Sequence, residues 1–273
     1  TCSLRSLDQA GLNNLCAALK CSCLVRYTIP LKIFAKVQKW RKLRVFRQLY
    51  GMRIVITSAT TAEWMPTFVN VNELYTGKSN RLKLQFYQSG VGLLASSVAI
   101  TRLAIEERPD LIIQAGIAGS FSKKYAPGQI VVVNNEILGD TGVEEKGVWK
   151  DLFDMKLEKS SYHPFEKRKL PNPWIKQYNL MNLPIVDGIT VNQVTTQPAR
   201  IAELKKKYGA AVESMEGASL HYVGRETGIP FIQIRSISNY VGERDKSKWL
   251  LKESIEGLNK VLLQYVDKLY NMK

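Results

Sequence analysis

Apolar runs of strand length alternate with segments of helical periodicity over most of the chain. The strand-like runs are rich in β-branched residues and end in turn-forming residues, and they predict strands over 53–58, 83–89, 110–114, 129–133, 185–194 and 231–238. Apolar positions at helical spacing predict helices that begin at Thr60 and cover 94–107, 198–208, 217–228 and 247–270. Strands that alternate with helices form mostly parallel sheets. We therefore predict a three-layer α/β/α sandwich around a central mixed, mostly parallel sheet.

Three segments add detail to this pattern. Residues 140–182 are polar and contain Pro164, Pro171 and Pro173, which predicts an irregular excursion or lid instead of a separate domain. The last helix is predicted to bury one apolar stripe, made of Leu250, Leu251, Ile255, Leu258, Leu262, Val266 and Leu269. Residues 1–51 precede the first methionine and the first clear strand. They are expected to be a basic extension that is disordered or not native, with the folded domain over 52–273.

Charge is concentrated in this N-terminal extension. The chain has a net charge of +15, but residues 1–51 hold ten Lys/Arg and one acidic residue, which is +9, while residues 52–273 carry +6. The mildly basic domain does not favour nucleic-acid binding. No stretch reaches the roughly 18 apolar residues of a membrane-spanning helix. The alternative for residues 1–51 is a basic arm that binds a membrane surface or an acidic partner.

Cysteine usage argues against a metal or disulfide framework in the domain. All four cysteines lie within the first 23 residues, and none follows Met52. Cys21 and Cys23 are too close in sequence for a zinc pair, and no histidine lies near them. The domain is thus expected to need neither an oxidising compartment nor a metal.

Polar and small residues follow several predicted strands. The carboxyl ends of parallel strands meet at one edge of a sheet, where open α/β folds bind their ligands. Glu63 opens the first helix, and a carboxylate-rich run, Val212 to His221, leads into another. The glycine-rich segments are Ser89-Gly90-Val91-Gly92 and Gln114-Ala115-Gly116-Ile117-Ala118-Gly119, and the last predicted strand ends in Arg235-Ser236-Ile237-Ser238-Asn239.

Taken in their order along the chain, these five motifs resemble the purine nucleoside phosphorylase and nucleosidase superfamily. The resemblance covers essentially all of 52–273 and none of 1–51. Within the superfamily the chain resembles the nucleosidases that cleave methylthioadenosine and adenosylhomocysteine. It is closer to the futalosine hydrolases through Glu213-Ser214-Met215-Glu216-Gly217-Ala218 and the segment 238–245.

The resemblance implies roles for individual residues. Glu63 is the expected general base that deprotonates the attacking water, and Arg235, paired with a carboxylate, helps order the water site. Glu216 is expected to accept hydrogen bonds from the ribose hydroxyls, with Met215 packed on the sugar. The further substrate-binding residues are expected to be Gly116, Ile117, Ala118, Val194 and Thr195. Structural roles remain open for several of them: helix capping for Glu63, core packing for Met215, and an ion pair alone for Arg235.

Two departures from the superfamily pattern bear on the reaction. Gln114 and Ile117 occupy positions where phosphorolytic relatives hold phosphate, and neither suits an anion, so water is the expected nucleophile. Asn239 stands where adenine-cleaving relatives carry Asp, and its amide can donate to both N7 and O6 of a 6-oxopurine. The structural alternative for Asn239 is a turn residue at a strand end. His221 is expected to be a structural or surface residue without a catalytic role.

The function that the resemblance implies is hydrolysis of the N-glycosidic bond of futalosine to hypoxanthine and dehypoxanthinylfutalosine, in menaquinone biosynthesis. The implied enzyme is a cytoplasmic homo-oligomer that acts on a small nucleoside with no cofactor and no metal, and without nucleic-acid or membrane partners. The alternatives are a methylthioadenosine/adenosylhomocysteine or aminodeoxyfutalosine nucleosidase, a purine nucleoside phosphorylase, and an inactive nucleoside-binding module. Arg244 or Lys246 is a candidate partner for the substrate carboxylate.

Overall fold

A computed structural model describes residues 51–75 and 82–272. The prediction of a disordered or non-native extension over 1–51 therefore lies outside the described residues, apart from Gly51. The strands are β1 (Met52–Ser58), β2 (Leu82–Gln88), β3 (Leu111–Ser120), β4 (Ile130–Leu138), β5 (Gly142–Glu145), β6 (Val148–Asp151), β7 (Leu170–Pro171), β8 (Ile185–Thr190), β9 (Val212–Ser214) and β10 (Phe231–Tyr240).

The strands form a mixed sheet with two parallel groups. In one group β2, β1, β3 and β10 are parallel neighbours, and in the other β4, β8 and β9 are parallel neighbours. The groups join twice in antiparallel fashion, through β10–β4 and through β3–β9. The sheet consequently curls, so that β3, β10, β4, β8 and β9 close into a ring. The predicted mixed, mostly parallel sheet is confirmed, and the ring closure is an addition to it.

Helices cover both faces of the sheet. They are α1 (Met65–Tyr75), α2 (Leu93–Glu106), α3 (Ile175–Tyr178), α4 (Pro198–Tyr208), α5 (Gly217–Thr227) and α6 (Leu251–Asn271). Alternate residues of β1 face opposite layers: Ile54 and Ile56 pack in a core with α1 and α6, while Val55 packs in a core with α2 and α5. This alternation is the period-2 geometry of a strand buried on both sides.

Three strands differ by more than two residues from the sequence prediction. The predicted strand 129–133 corresponds to β4, which continues to Leu138 because it pairs with β8 over that length. The predicted third strand ends at Gln114, but β3 continues to Ser120, because its second half pairs with β10 on one side and with β9 on the other. The small residues of this half still lie at the edge of the site, within a strand instead of a loop. The predicted strand 185–194 ends at Thr190, after which the chain turns away.

The last helix and the 140–182 segment also differ in detail. The helix begins at Leu251, and the prediction that Leu250 and Leu251 are buried was wrong, since they are 40% and 44% exposed. They precede the first full turn that packs on the sheet, whereas Leu258 and Leu262 are fully buried. The 140–182 segment contains the β5–β6 hairpin, β7 and α3 within otherwise irregular chain.

Candidate active site

The carboxyl half of β3 and the end of β10 bring the predicted site residues side by side. The two strands are parallel, with Gln114 opposite Gln233, Gly116 opposite Arg235 and Gly119 opposite Asn239. A register shift between Ile237 and Asn239 accompanies the end of β10. Residues more than 100 positions apart in sequence thus meet at one edge of the sheet, as expected for an α/β ligand site.

Glu63 is buried, and its carboxylate is oriented by three donors. It ends a short 3₁₀ turn, Thr61–Glu63, that is closed by a capping box. Oε2 accepts from the backbone N of Thr60 at 3.0 Å and from its Oγ1 at 3.2 Å, while Oε1 accepts from the backbone N of Ile117 at 3.2 Å. The cap and the catalytic assignment are therefore compatible, because the same carboxylate reaches both the turn and β3.

Arg235 is 2% exposed and lies between the other polar groups of the site. Its Nη2 donates to Oε1 of Gln114 at 3.0 Å, and its Nη1 lies 3.7 Å from Oε2 of Glu216. Nη1 also donates to the carbonyl of Ile117 at 3.4 Å. Its Nε has no hydrogen-bond partner among the described residues. A buried guanidinium needs a carboxylate nearby, and Glu216 fills that role.

Glycine at position 116 allows Arg235 and Glu63 to approach the backbone of β3. A Cβ built on Gly116 would overlap Nη1 of Arg235 and lie 3.0 Å from Oε1 of Glu63. The site therefore requires glycine at this position for space, since the residue does not have a positive φ. The guanidinium and the proposed base carboxylate both lie directly over this one residue.

Glu216 is the N-cap residue of α5, and its side chain points away from the helix toward the glycine-rich loop. Its Oε1 accepts from the backbone N of Gly92 at 3.0 Å. Its carbonyl accepts from Nε2 of Gln114 at 3.3 Å and from the N and Oγ of Ser219. The positive end of α5 favours a carboxylate at this place. Met215, which precedes it, is half-buried.

Gln114 links the two charged groups of the site. One end of its amide accepts from Arg235 and the other donates to the carbonyl of Glu216. Both ends of this side chain are thereby engaged within the protein. Ile117 is the other position at which phosphorolytic relatives are expected to hold phosphate. Its backbone N donates a hydrogen bond to Glu63.

Asn239 lies at the end of β10 with its amide orientation fixed. Ser238 donates from Oγ to Oδ1 of Asn239 at 2.7 Å, and Nδ2 of Asn239 donates to the carbonyl of Tyr240 at 2.9 Å. Asn239 is 8% exposed. A Cβ on the neighbouring Gly119 would lie 3.6 Å from Nδ2, an ordinary contact distance, and 3.1 Å from Cγ2 of Val241. The second N–H of this amide remains available as a donor.

Two carboxylates hold the segment expected to flank the purine. Glu213 accepts from the backbone N and from Oγ1 of Thr195, and Asp140 accepts from the backbone N of Asn192 and of Gln193. Burial raises the pKa of Glu213 above its ordinary value, against the lowering effect of its hydrogen bonds to Thr195. The Thr195 hydroxyl is thus committed to Glu213, whereas Val194 is 38% exposed.

The candidate carboxylate-binding residues lie in the loop after β10. Arg244 is exposed, and its guanidinium lies 5.6 Å from the centre of the Trp249 ring. Lys246 is exposed and begins the 3₁₀ turn Lys246–Lys248. Neither residue is brought into the cluster of Glu63, Arg235 and Glu216 by a described contact.

Sequence reasoning missed a second layer of buried polar residues behind α5. Oε1 of Glu136 accepts from Nε2 of Gln233 at 2.9 Å, and Oε2 accepts from Oγ1 of Thr190 at 2.9 Å. His221, fully buried nearby, pairs through Nδ1 with the carbonyl of Leu170 at 2.7 Å. The available signal was Gln233 and Arg235 at alternate positions of a strand buried on both faces, where polar side chains need partners.

Two further sets of features can be checked within the described ranges. In residues 51–75 and 82–272, no group of three or more His, Cys, Asp or Glu side chains is arranged to hold a metal ion. In the same residues, no helix combines the length and the apolar character needed to cross a membrane.

Comparisons with known proteins identify relatives of this chain. The chain is 25% identical over 174 residues to a futalosine hydrolase of Thermus thermophilus, covering 63% of this chain and 76% of the relative. It is 28% identical over 193 residues to a 5′-methylthioadenosine/S-adenosylhomocysteine nucleosidase of Maridesulfovibrio salexigens, covering 67% and 78%. The structure of futalosine hydrolase of Helicobacter pylori superposes with a TM-score of 0.64 at 19% identity, covering 80% of this chain and 98% of that one.

A family model places these similarities within one family. The model for the Phosphorylase superfamily matches residues 55–269, which include all the site residues described above. The resemblance drawn from the five ordered motifs and the predicted hydrolase class are thereby confirmed. The chain belongs to the Phosphorylase superfamily, in which it is related to hydrolases of nucleosides.

Proposed function

We propose that the protein is a nucleosidase that hydrolyses the N-glycosidic bond of futalosine, giving hypoxanthine and dehypoxanthinylfutalosine in menaquinone biosynthesis. The observation that carries the proposal is Asn239, which presents a fixed amide at the end of β10. One N–H of this amide is bonded to Tyr240, and the other can donate to N7 or to O6 of a 6-oxopurine, both of which are acceptors. The similarity to a futalosine hydrolase supports futalosine as the substrate among the 6-oxopurine nucleosides.

The proposed reaction uses water as the nucleophile. Glu63 accepts a proton from the water as its oxygen bonds to C1′ of the ribose, and the bond from C1′ to N9 breaks with its electron pair going to the purine. The Asn239 amide stabilises the negative charge that develops on the purine, which then takes up a proton from solvent, while Glu63 releases to solvent the proton that it took from water. Glu216 accepts hydrogen bonds from the ribose hydroxyls, and Arg235 orients the carboxylate of Glu216.

Water is favoured over phosphate by the groups around β3. Gln114 is engaged by Arg235 and Glu216, and the side chain of Ile117 is apolar. Arg235 contacts Glu216, so its charge is already balanced within the protein. These features support hydrolysis over phosphorolysis. For the substrate carboxylate, Arg244 and Lys246 remain the proposed partners, on the ground of their position after β10.

The direct test is a product assay with three nucleosides. Purified full-length protein is incubated with futalosine, aminodeoxyfutalosine or methylthioadenosine, with and without inorganic phosphate, and the released base is identified by chromatography. We expect hypoxanthine from futalosine at a rate that phosphate does not change. A preference for either adenine nucleoside would overturn the assignment of Asn239, and a phosphate requirement would overturn hydrolysis.

We also propose that the enzyme is a homo-oligomer that uses the exposed stripe of α2. Leu94, Val98 and Ile105 lie at helical spacing and are 80%, 55% and 60% exposed. Val91, 59% exposed, extends this apolar surface to the loop whose Gly92 binds Glu216. Light scattering is expected to show at least a dimer, and Leu94→Lys with Val98→Lys is expected to weaken it. A monomeric wild type would overturn this proposal.

A further inference from the structure

The carboxylate of Glu136 is fully buried behind the ribose side of the site and is not used in the proposed reaction. It lies on β4, and its two oxygens accept hydrogen bonds from Gln233 of β10 and Thr190 of β8. Three strands of the closed ring therefore converge on one carboxylate. A buried carboxylate is costly unless such partners compensate it, so its position calls for a role.

Two glycines make space for this carboxylate. A Cβ on Gly188 of β8 would lie 2.6 Å from Oε1 of Glu136, and a Cβ on Gly217 of α5 would overlap the same oxygen. A Cβ on Gly217 would also lie 2.5 Å from Nε2 of Gln233. Gly217 directly follows Glu216. Glu136 and its partner Gln233 are thus packed against the backbone of the first residue of α5.

A hydrogen-bonded chain connects Glu136 to the same helix start. The backbone N of Ala218 donates to Oγ1 of Thr190 at 2.8 Å, and Oγ1 of Thr190 donates to Oε2 of Glu136 at 2.9 Å. Because a hydroxyl has one hydrogen, the acceptor at Glu136 directs it away from Ala218 and leaves a lone pair for the Ala218 N–H. In its ionised form the carboxylate thereby fixes the direction of both bonds.

We infer that Glu136 is a positioning residue that holds Glu216 in place for the ribose hydroxyls, by anchoring the first turn of α5 through Thr190 and Gly217. This inference rests on the proposed nucleosidase function, and it adds a residue that does not touch the substrate. Glu216 itself is held from the other side by Gly92 and Gln114. Glu136 supplies the support from within the ring.

The test is a double-mutant cycle between Glu136 and Glu216. Glu136→Leu is expected to lower kcat/KM by roughly 100-fold, as a small displacement of a substrate-holding group does. In the Glu216→Gln background the same substitution is expected to cost less than about twofold, because the group it positions is already disabled. A role in general stability would instead give the same loss in both backgrounds, and that result would overturn the inference.

Two further variants keep the test decisive if Glu136→Leu folds poorly. Glu136→Gln is expected to retain most activity, since its amide oxygen can still accept from Thr190, while rotation of the Gln233 amide lets Gln233 accept from the new NH₂ group. Thr190→Val is expected to reproduce the coupling with Glu216 and to speed hydrogen exchange at the Ala218 amide. Full activity of Thr190→Val with unchanged exchange would contradict the inference.

Tyr265→Phe provides the matched control. It removes a buried hydrogen bond, from the Tyr265 hydroxyl to the carbonyl of Tyr178, in the core formed with α1 and α6. Its kcat/KM is expected to equal that of wild type. Each variant is assayed on whichever of futalosine and methylthioadenosine the wild type cleaves, since both carry ribose. No turnover of either by wild type would refute the proposed function, whereas turnover with additive losses would refute only the role of Glu136.

Discussion

The hydroxyl of Ser238 donates to Oδ1 of Asn239 at 2.7 Å, within one dipeptide at the end of β10. The carbonyl of Tyr240, which can only accept, takes a hydrogen from Nδ2 at 2.9 Å and so decides which end of the amide faces the proposed purine site, and the Ser238 hydroxyl adds a second contact. Nδ2 has one hydrogen on the carbonyl of Tyr240, and the other is available. The proposed preference for a 6-oxopurine depends on this orientation.

Asn239→Asp is expected to lose at least about 100-fold in kcat/KM on futalosine, because a carboxylate offers no hydrogen to O6 and repels it. Loss on aminodeoxyfutalosine is expected to be smaller, so the ratio of the two kcat/KM values reports the change. Ser238→Ala, which leaves the amide held by the carbonyl of Tyr240 alone, is expected to show a weaker effect in the same direction. Equal losses on both substrates would contradict base recognition by Asn239.

Glu63→Gln is expected to reduce kcat by about 100- to 10,000-fold, the usual contribution of a general base. The amide can still accept from Ile117 or Thr60, so the turn that holds it should persist and KM should change little. Steady-state assays of base release measure kcat and KM, and thermal unfolding measures whether the fold keeps its stability. Wild-type kcat in this variant would remove Glu63 from the proposed mechanism.

Gly116→Ala is expected to impair catalysis more than folding. The added methyl group would overlap Nη1 of Arg235 and approach Oε1 of Glu63, so the guanidinium and the base carboxylate must both move. A loss of roughly 100-fold in kcat/KM is expected from such displacement. Gly257→Ala is the control, since Gly257 lies in α6 without a positive φ and its Cβ would meet only Cδ1 of Ile130, at 3.8 Å. Comparable losses in the two variants would contradict the prediction.

Glu136 is expected to make stability depend on pH near neutrality. Burial raises the pKa of Glu136 from 4.5 to about 7, although its hydrogen bonds and the charge of Arg235 oppose the shift. The folded state therefore binds the Glu136 proton more tightly than the unfolded state does. The resulting contribution to stability is fully present below about pH 4.5 and is lost as pH rises through about 7. The shift corresponds to about 3 kcal/mol.

Urea unfolding of wild type and Glu136→Gln across pH 5 to 8 measures this contribution. The stability of wild type relative to the variant is expected to fall over that range, because the amide does not titrate. His221 lies in the same layer, and burial lowers its pKa to about 4, so its own contribution is lost as pH falls from about 6.5 through about 4. Because His221 is present in both proteins, its contribution cancels in the difference between their stabilities. A constant difference across pH 5 to 8 would contradict the raised pKa of Glu136.

Much of the fold was predictable because its signals are local. Uninterrupted apolar runs identify strands buried on both faces, and glycine at 228 with proline at 230 ends α5 where expected. The lengths of β3 and β8 were not predictable in the same way. The second half of β3 is a strand because β9 and β10 pair with it, and those partners lie far away in sequence.

The amino-acid sequence by itself determined the superfamily, the alternation of strands and helices, and the residue types offered to a nucleoside. It placed Glu63, Glu216, Arg235 and Asn239 at the ends of elements, because those positions follow from local pattern. Only the tertiary structure decided which side chains share a hydrogen bond. The partnership of Glu136 with Thr190 and Gln233 arises from closure of the ring, and the link from Arg235 through Gln114 to Glu216 arises from strand register and the start of α5. Such contacts depend on distances between segments that no local pattern encodes.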